Sequence, residues 1–199
     1  MPHQVILAST STVRSQLLKA ANVPFETAPA RVDEETLKLA LLQEETTPRD
    51  IADALAEAKA RKVGGKYPEC FVIGCDQTLD IGKTLLSKPA SKDEAIEQLK
   101  QLRGQRHALH SAAVIFHEGK PIWRQVGTVR LRMRDFTDAY LNGYVERNWN
   151  SIRHSVGGYK LEEEGIRLFQ SIEGDYFHVL GLPLLEILAF LTVRGVIEA

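Results

Sequence analysis

Only two cysteines, Cys70 and Cys75, occur in the 199 residues, too few for a disulfide framework and without the paired spacing of a zinc site. Both read as core thiols. Neither sign of charge prevails: 25 Lys and Arg stand against 26 Asp and Glu, a net charge of −1, which offers no bulk attraction to nucleic acid or anionic lipid. Nucleic-acid and membrane partners are therefore not expected. No apolar run approaches the ~20 residues needed to span a bilayer. Met1 to Ser11 lacks a basic segment followed by a long apolar stretch, so the simplest expectation is a cytoplasmic protein. Repeats, low-complexity stretches and Gly/Pro-rich linkers are missing too, which predicts a single domain over residues 1–199. What is present is 44% hydrophobic and 26% charged side chains, enough apolar material to bury a real core.

Several common chemistries are also missing. Gly82-Lys83-Thr84 has the form of a P-loop ending, but that motif needs a glycine five residues before the Gly-Lys pair, where Gln77 stands. No serine lies in a Gly-x-Ser-x-Gly elbow. His107 and His110 are three apart in an expected strand, so they point to opposite faces and cannot grip one metal together.

Periodicity predicts a mixed α/β fold. Val5 to Ala8 reads as a strand, followed by a polar turn and a helix carrying Leu17, Leu18 and Ala21, and Pro24 to Ala28 as a second strand. The acidic residues Asp33, Glu34 and Glu35 mark a helix start, since early carboxylates complement the helix dipole. Thr47-Pro48 opens the clearest helix, with Ile51, Leu55, Ala58 and Lys62 along its apolar stripe and Gly64-Gly65 at its end. Phe71 to Gly74 reads as a buried strand delivering Cys75, Asp76 and Gln77 at its end. Ser91 to Leu102 is a capped helix, and Ala108 to Phe116 and Ile122 to Met133 form a hairpin around Glu118-Gly119-Lys120-Pro121. Helices over Asp138 to Arg147 and Leu182 to Leu191 complete the inventory.

The candidate chemistry is dispersed. Ser9-Thr10-Ser11-Thr12 lies between a strand and a helix, where free N–H groups and the helix dipole make an anion site, and Arg14 follows in the first turn. Asp76 at a buried strand end is costly unless a cation or hydrogen bonds compensate it. Lys59 and Lys88 read individually as solvated lysines, yet together could neutralise a polyphosphate.

Read in order, Leu7-Ala8-Ser9-x-Ser11, Arg14, Leu17-Leu18, Asp33-Glu34, Lys59-Ala60, Gly74-x-Asp76, Lys88-Pro89 and Gly181-Leu182-Pro183-Leu184 resemble the Maf family of nucleoside triphosphate pyrophosphatases. Leu102-x-Gly104, Tyr144-Val145 and Ile172-x-Gly174 extend the resemblance over nearly the whole chain. It implies an elongated mixed sheet flanked by helices, two lobes around a nucleotide cleft, a divalent Mg²⁺ or Mn²⁺ cofactor, and a homodimer. It implies that Asp76 is the catalytic aspartate, with Ser9, Arg14, Glu34, Lys59 and Lys88 at polar active-site positions. From chemistry, Asp76 would accept the proton of the attacking water and share a metal with Glu34, while Arg14, Lys59 and Lys88 hold the phosphates and Ser9 fixes their position.

Departures are few. Val13 stands where the family usually has an arginine, and Glu163 follows Glu162 where it more often has glycine. Two branches of the family act on dTTP/UTP and on 7-methyl-GTP. Gln77 and Glu162 resemble the latter, since one carboxylate can accept the adjacent N1–H and N2–H of a guanine. The alternatives at this stage are the dTTP/UTP preference and a nucleotide-binding regulator with little turnover. Stacking of Trp123 or Trp149 on a base is less expected than packing.

Overall fold

The computed structural model describes residues 4–82 and 84–198, so Met1 to His3, Lys83 of the rejected P-loop match and Ala199 lie outside the described residues. The elements in order are β1 (Val5–Leu7), α1 (Thr12–Ala20), β2 (Phe25–Thr27), α2 (Glu34–Gln43), α3 (Pro48–Gly64), β3 (Phe71–Ile81), β4 (Thr84–Leu86) and α4 (Lys92–Leu102). They continue with β5 (Arg106–His117), β6 (Lys120–Met133), α5 (Asp138–Ile152), β7 (Phe169–Glu173), α6 (Tyr176–Val179) and α7 (Leu184–Val193). Side-chain caps start five of these helices, Thr47 and Ser91 as the sequence suggests: Ser11, Asp33, Thr47, Ser91 and Thr137 each accept a backbone N–H from the first turn.

The seven strands form one mixed sheet in the order β2-β1-β3-β5-β6-β7, with β4 also on β3. The two neighbours of β3 on its outer edge do not meet. β1 pairs in parallel with Phe71 to Ile73, and β4 pairs antiparallel with Leu79 to Ile81. Gly74 to Thr78 therefore has no strand partner on that edge, while its other edge is fully paired with β5. This interruption divides the two lobes and opens the sheet where Asp76 lies.

The expectation that Asp76 stands at a strand end is thus corrected: β3 runs five residues further, to Ile81. It is the partner strand that stops. The continuation is carried by Thr78 and Leu79, which suit a strand, and by the turn at Gly82.

Three apolar clusters hold the lobes. One, on the α1 and α7 face, gathers Val5, Leu7, Leu18, Ile73, Cys75, Ile187 and Leu191. A second, under α3, gathers Ile6, Ala52, Ala56, Ala60, Val72, Val114 and Phe116. The third fills the other lobe with Leu79, Leu99, Leu102, Leu131, Tyr144 and Phe169. Each fully buried Leu, Ile or Val contributes about 1.5–3 kcal/mol, so the clusters fix both lobes around β3 and β5. Trp123 packs on Phe190, and Trp149 against the third cluster under the Arg153 guanidinium. Both tryptophans are packing residues, as expected. Cys75 is buried in the core, whereas Cys70 is only partly covered.

The α3 stripe also needs correction. Its buried residues are Ile51, Ala52, Leu55, Ala56, Lys59, Ala60, Val63 and Gly64, while Ala58 is only partly covered and Lys62 is exposed. The small residues Ala52, Ala56 and Ala60 set this face, because they let the helix approach the sheet closely. Gly74 completes the approach: a Cβ there would lie 2.2 Å from the Ala56 carbonyl oxygen and 2.5 Å from the Ala60 amide nitrogen. The close packing carries Lys59 inward.

Candidate active site

Alternation along β3 puts Val72, Gly74, Asp76 and Thr78 on the α3 face, and Cys75 and Gln77 on the other. Asp76 consequently faces the inward lysine of α3. Lys59 Nζ lies 2.6 Å from Asp76 Oδ1 and 2.9 Å from Glu34 Oε2. Lys59 and Asp76 are both 8% exposed. The expectation of a solvated Lys59 is overturned: an ammonium buried this deeply requires paired carboxylates, and it has two. Glu34 is the more open partner, in the first turn of α2.

Asp76 Oδ2 and Glu34 Oε1 take no hydrogen bond from the described residues. Both oxygens remain available for a substrate water or a cation. Among the described residues no group of three or more His, Cys, Asp or Glu side chains converges as a metal cage.

The N-terminus of α1 forms the opposite wall. Ser9 Oγ accepts from the Ser11 amide at 3.2 Å and from Arg14 Nη1 at 3.4 Å. Arg14 also donates from Nε to the Gly181 carbonyl at 2.7 Å and from Nη1 to the Cys75 carbonyl at 3.1 Å. That last bond satisfies a carbonyl in the unpaired stretch of β3. Gly181 has φ +86, and a Cβ there would lie 3.1 Å from Arg14 Nη2. The positive φ and the guanidinium contact together explain a glycine at the α6–α7 junction. Arg14 therefore ties α1, β3 and this junction, with Nη2 left for a ligand.

Gln77 opens toward the cleft, but its Nε2 lies 2.9 Å from Ser111 Oγ and 3.0 Å from both the His178 and Val179 carbonyl oxygens. The carboxamide nitrogen thus fastens α6 to the sheet. Burial pushes the Cys75 thiol up to about 11, so it is not a thiolate nucleophile at neutral pH.

A cleft of about 620 Å³ joins these groups, lined by Ser9, Arg14, Glu34, Lys59, Asp76, Gln77, Lys88 and Glu162. Every site residue expected from the sequence borders this one space. Lys88 and Glu162 are exposed, on the rim. Val13 also lines the wall, so no guanidinium is supplied there.

The sequence reading missed Lys38 and Lys160, which line the same cleft. Lys38 lies one turn after Glu34 and on the same face of α2, an i,i+4 spacing that could have signalled it. Its ammonium contacts Ser87 Oγ, beside Lys88. Desolvation holds the Lys38 pKa below its ordinary value, against the opposing charges of Asp76 and Glu35. For Lys160 the spacing offered no signal, because it lies in an irregular segment after Tyr159.

Comparison with known proteins agrees with the order of motifs. Residues 4–194 match the family model described as Maf-like protein. A "Nucleoside triphosphate pyrophosphatase" of Ruegeria pomeroyi is 63% identical over 194 residues, covering 98% of each chain. One with the same description from Ruegeria sp. strain TM1040 is 60% identical over 198 residues, covering 100% of each. A "7-methyl-GTP pyrophosphatase" of Brucella abortus is 44% identical over 189 residues, covering 95% of each. Matched by this family model over residues 4–194 and by relatives at 60% identity or more over nearly their full length, the chain belongs to the Maf-like protein family.

Proposed function

We propose that this chain hydrolyses a nucleoside triphosphate between its α and β phosphates, releasing nucleoside monophosphate and pyrophosphate. The carrying observation is the Asp76–Lys59–Glu34 cluster, where one carboxylate oxygen of Asp76 is held by Lys59 and the other takes no hydrogen bond from the described residues. Its reach into a polar cleft of about 620 Å³ suits a nucleotide.

The reaction needs water to attack the α-phosphorus in line while negative charge grows on the departing pyrophosphate. Asp76 Oδ2 takes the proton of that water, and Lys59 on Oδ1 holds the carboxylate in register for it. Arg14 Nη2, the Ser9 region and Lys88 hold the phosphate oxygens and offset the leaving group's charge.

The donor set fits a divalent cation that enters with the triphosphate. Mg²⁺ and Mn²⁺ favour oxygen, and Mg²⁺ typically binds through one or two carboxylates plus phosphates and water. Asp76 and Glu34 would hold it, and when bound it would neutralise charge on the phosphates.

For the base, Glu162 on the rim is the residue suited to the paired donors of a guanine, and 7-methyl-GTP is the substrate this reading favours. Gln77 lends it less support, because its carboxamide nitrogen already holds α6. The two cysteines are free thiols, as suits a reducing compartment. A cytoplasmic location is part of the proposal.

The test is a panel of triphosphates, including 7-methyl-GTP, UTP and dTTP, with Mg²⁺ or Mn²⁺ and with EDTA. Metal-dependent release of pyrophosphate, strongest with 7-methyl-GTP, is expected. A UTP or dTTP preference would remove Glu162 from guanine reading. Nucleotide binding without turnover would replace the enzyme with a regulatory binder.

A further inference from the structure

The cations around the cleft are unequally committed. Lys59 is enclosed by two carboxylates, Arg14 uses Nε and Nη1 on carbonyls and Ser9, and Lys160 pairs with Glu163 at 3.3 Å. Lys38 differs from all three. It is partly buried, yet its polar contact is the neutral Ser87 hydroxyl, and it has no ion pair among the described residues. Asp76 and Glu35 act on this partly desolvated ammonium only from beyond ion-pair distance, so it gains from a ligand that brings negative charge into contact with it.

Its position selects which part of a ligand that is. Lys38 stands one helical turn beyond Glu34, and its contact crosses the cleft from α2 to the segment after β4, next to Lys88. Lys88 also has no ion pair among the described residues. Two ammonium groups without an ion pair among the described residues, one from α2 and one beside its Ser87 contact, thus border the same cleft. With the Asp76 cluster assigned to the α-phosphate, they are cations left for the phosphates beyond it.

We infer that Lys38 is a substrate-holding residue: with Lys88 it grips the terminal phosphates, the portion that departs as pyrophosphate. This inference rests on the pyrophosphatase reading for its substrate. In the free protein Ser87 occupies the ammonium, and the phosphate oxygens displace it on binding.

The test is calorimetric binding of inorganic pyrophosphate to the full chain, alongside steady-state kinetics, for wild type, K38M, K38R and S87A. Losing a hydrogen bond between charged groups predicts that K38M weakens pyrophosphate binding about ten- to hundredfold and raises KM for the triphosphate in parallel. Affinity for the monophosphate is unchanged. K38R keeps most of the pyrophosphate affinity because it restores the charge. S87A stays near wild type, since it removes the resting partner and not the cation.

Equal losses in S87A and K38M would make Lys38 a structural tether and overturn the inference. So would wild-type pyrophosphate affinity in K38M, or no pyrophosphate binding to the wild type. A K38M binding defect with no turnover of any triphosphate by the wild type would support Lys38 and overturn the pyrophosphatase reading instead.

Discussion

Helix α3 takes part in two ion clusters in which one cation bridges two carboxylates, and they differ in burial and in what surrounds them. On its inward face Lys59 joins Asp76 and Glu34. On another face Asp53 and Glu57 receive the fork of Arg124 from β6. The Arg124 side chain is 46% exposed, against 10% for Lys59. At Glu57 burial raises the pKa, yet the hydrogen bonds and charges of Arg124 and, behind it, Arg61 prevail and hold it below the usual carboxylate value. Arg124 meets each carboxylate with a separate nitrogen and closes the cluster as a staple between helix and sheet. Lys59 presents one compact ammonium, and each of its carboxylates keeps an oxygen open to the cleft. A cation bridging two carboxylates thus makes a staple in one place, where Arg61 also pairs with Glu57, and the proposed reaction centre in the other. The difference lies in burial of the cation and in where the spare oxygens lie: those of Asp76 and Glu34 belong to residues lining the cleft, whereas Asp53 Oδ1 is enclosed without a hydrogen-bond partner among the described residues.

The comparison breaks most directly at Asp76. Asp76→Asn keeps the shape and the Lys59 contact but removes the proton acceptor, so kcat should fall about a thousandfold, measured by coupled pyrophosphate release. A circular-dichroism melt should show that it remains folded. Lys59→Met leaves Asp76 and Glu34 without their cation, and breaking a buried pair in this way costs about 3–5 kcal/mol, readable by urea denaturation. Turnover should be lost with it.

Away from both clusters, His107 supplies a pH-dependent control. Burial lowers its pKa from 6.5 to about 4, and its Nε2 lies 2.9 Å from the Tyr159 hydroxyl. The unfolded chain takes up a proton near 6.5 and the folded chain only near 4, so this contribution is present above 6.5 and is lost as pH falls between those values. The urea midpoint should decline across that window, and His107→Gln should flatten the decline. The smallest effect belongs to the staple. Arg124→Gln should cost about 1 kcal/mol or less by urea denaturation and leave kcat near wild type.

Much of this site was legible in the sequence, though for unequal reasons. Asp76, Glu34, Arg14 and Lys88 came from the ordered family motifs, and all border one cleft. Their roles came from the chemistry of phosphate transfer. Lys59 was placed by its motif but misjudged by periodicity, because an alanine-rich helix face is set by the closeness of the sheet and not by hydrophobic spacing. Gly74 is the residue that fixes that closeness.

The strands were legible where alternation ran long, as in the β5–β6 hairpin. The break on the edge of β3 was not, since it depends on where β1 and β4 stop. Short β4 and β7 escaped for the same reason: their residues become strand only through pairing with β3 and β6. Lys38 was hidden because a lysine on a short amphipathic helix looks solvated until the opposite wall is in place.

The proposed reaction cleaves a triphosphate at its α-phosphorus through Asp76. The most direct measurement is phosphorus NMR of the products from wild type and Asp76→Asn, with 7-methyl-GTP and Mg²⁺. Wild type should give equal amounts of monophosphate and pyrophosphate and no diphosphate, and the folded variant no appreciable conversion. Diphosphate with free phosphate, or undiminished conversion by Asp76→Asn, would contradict it.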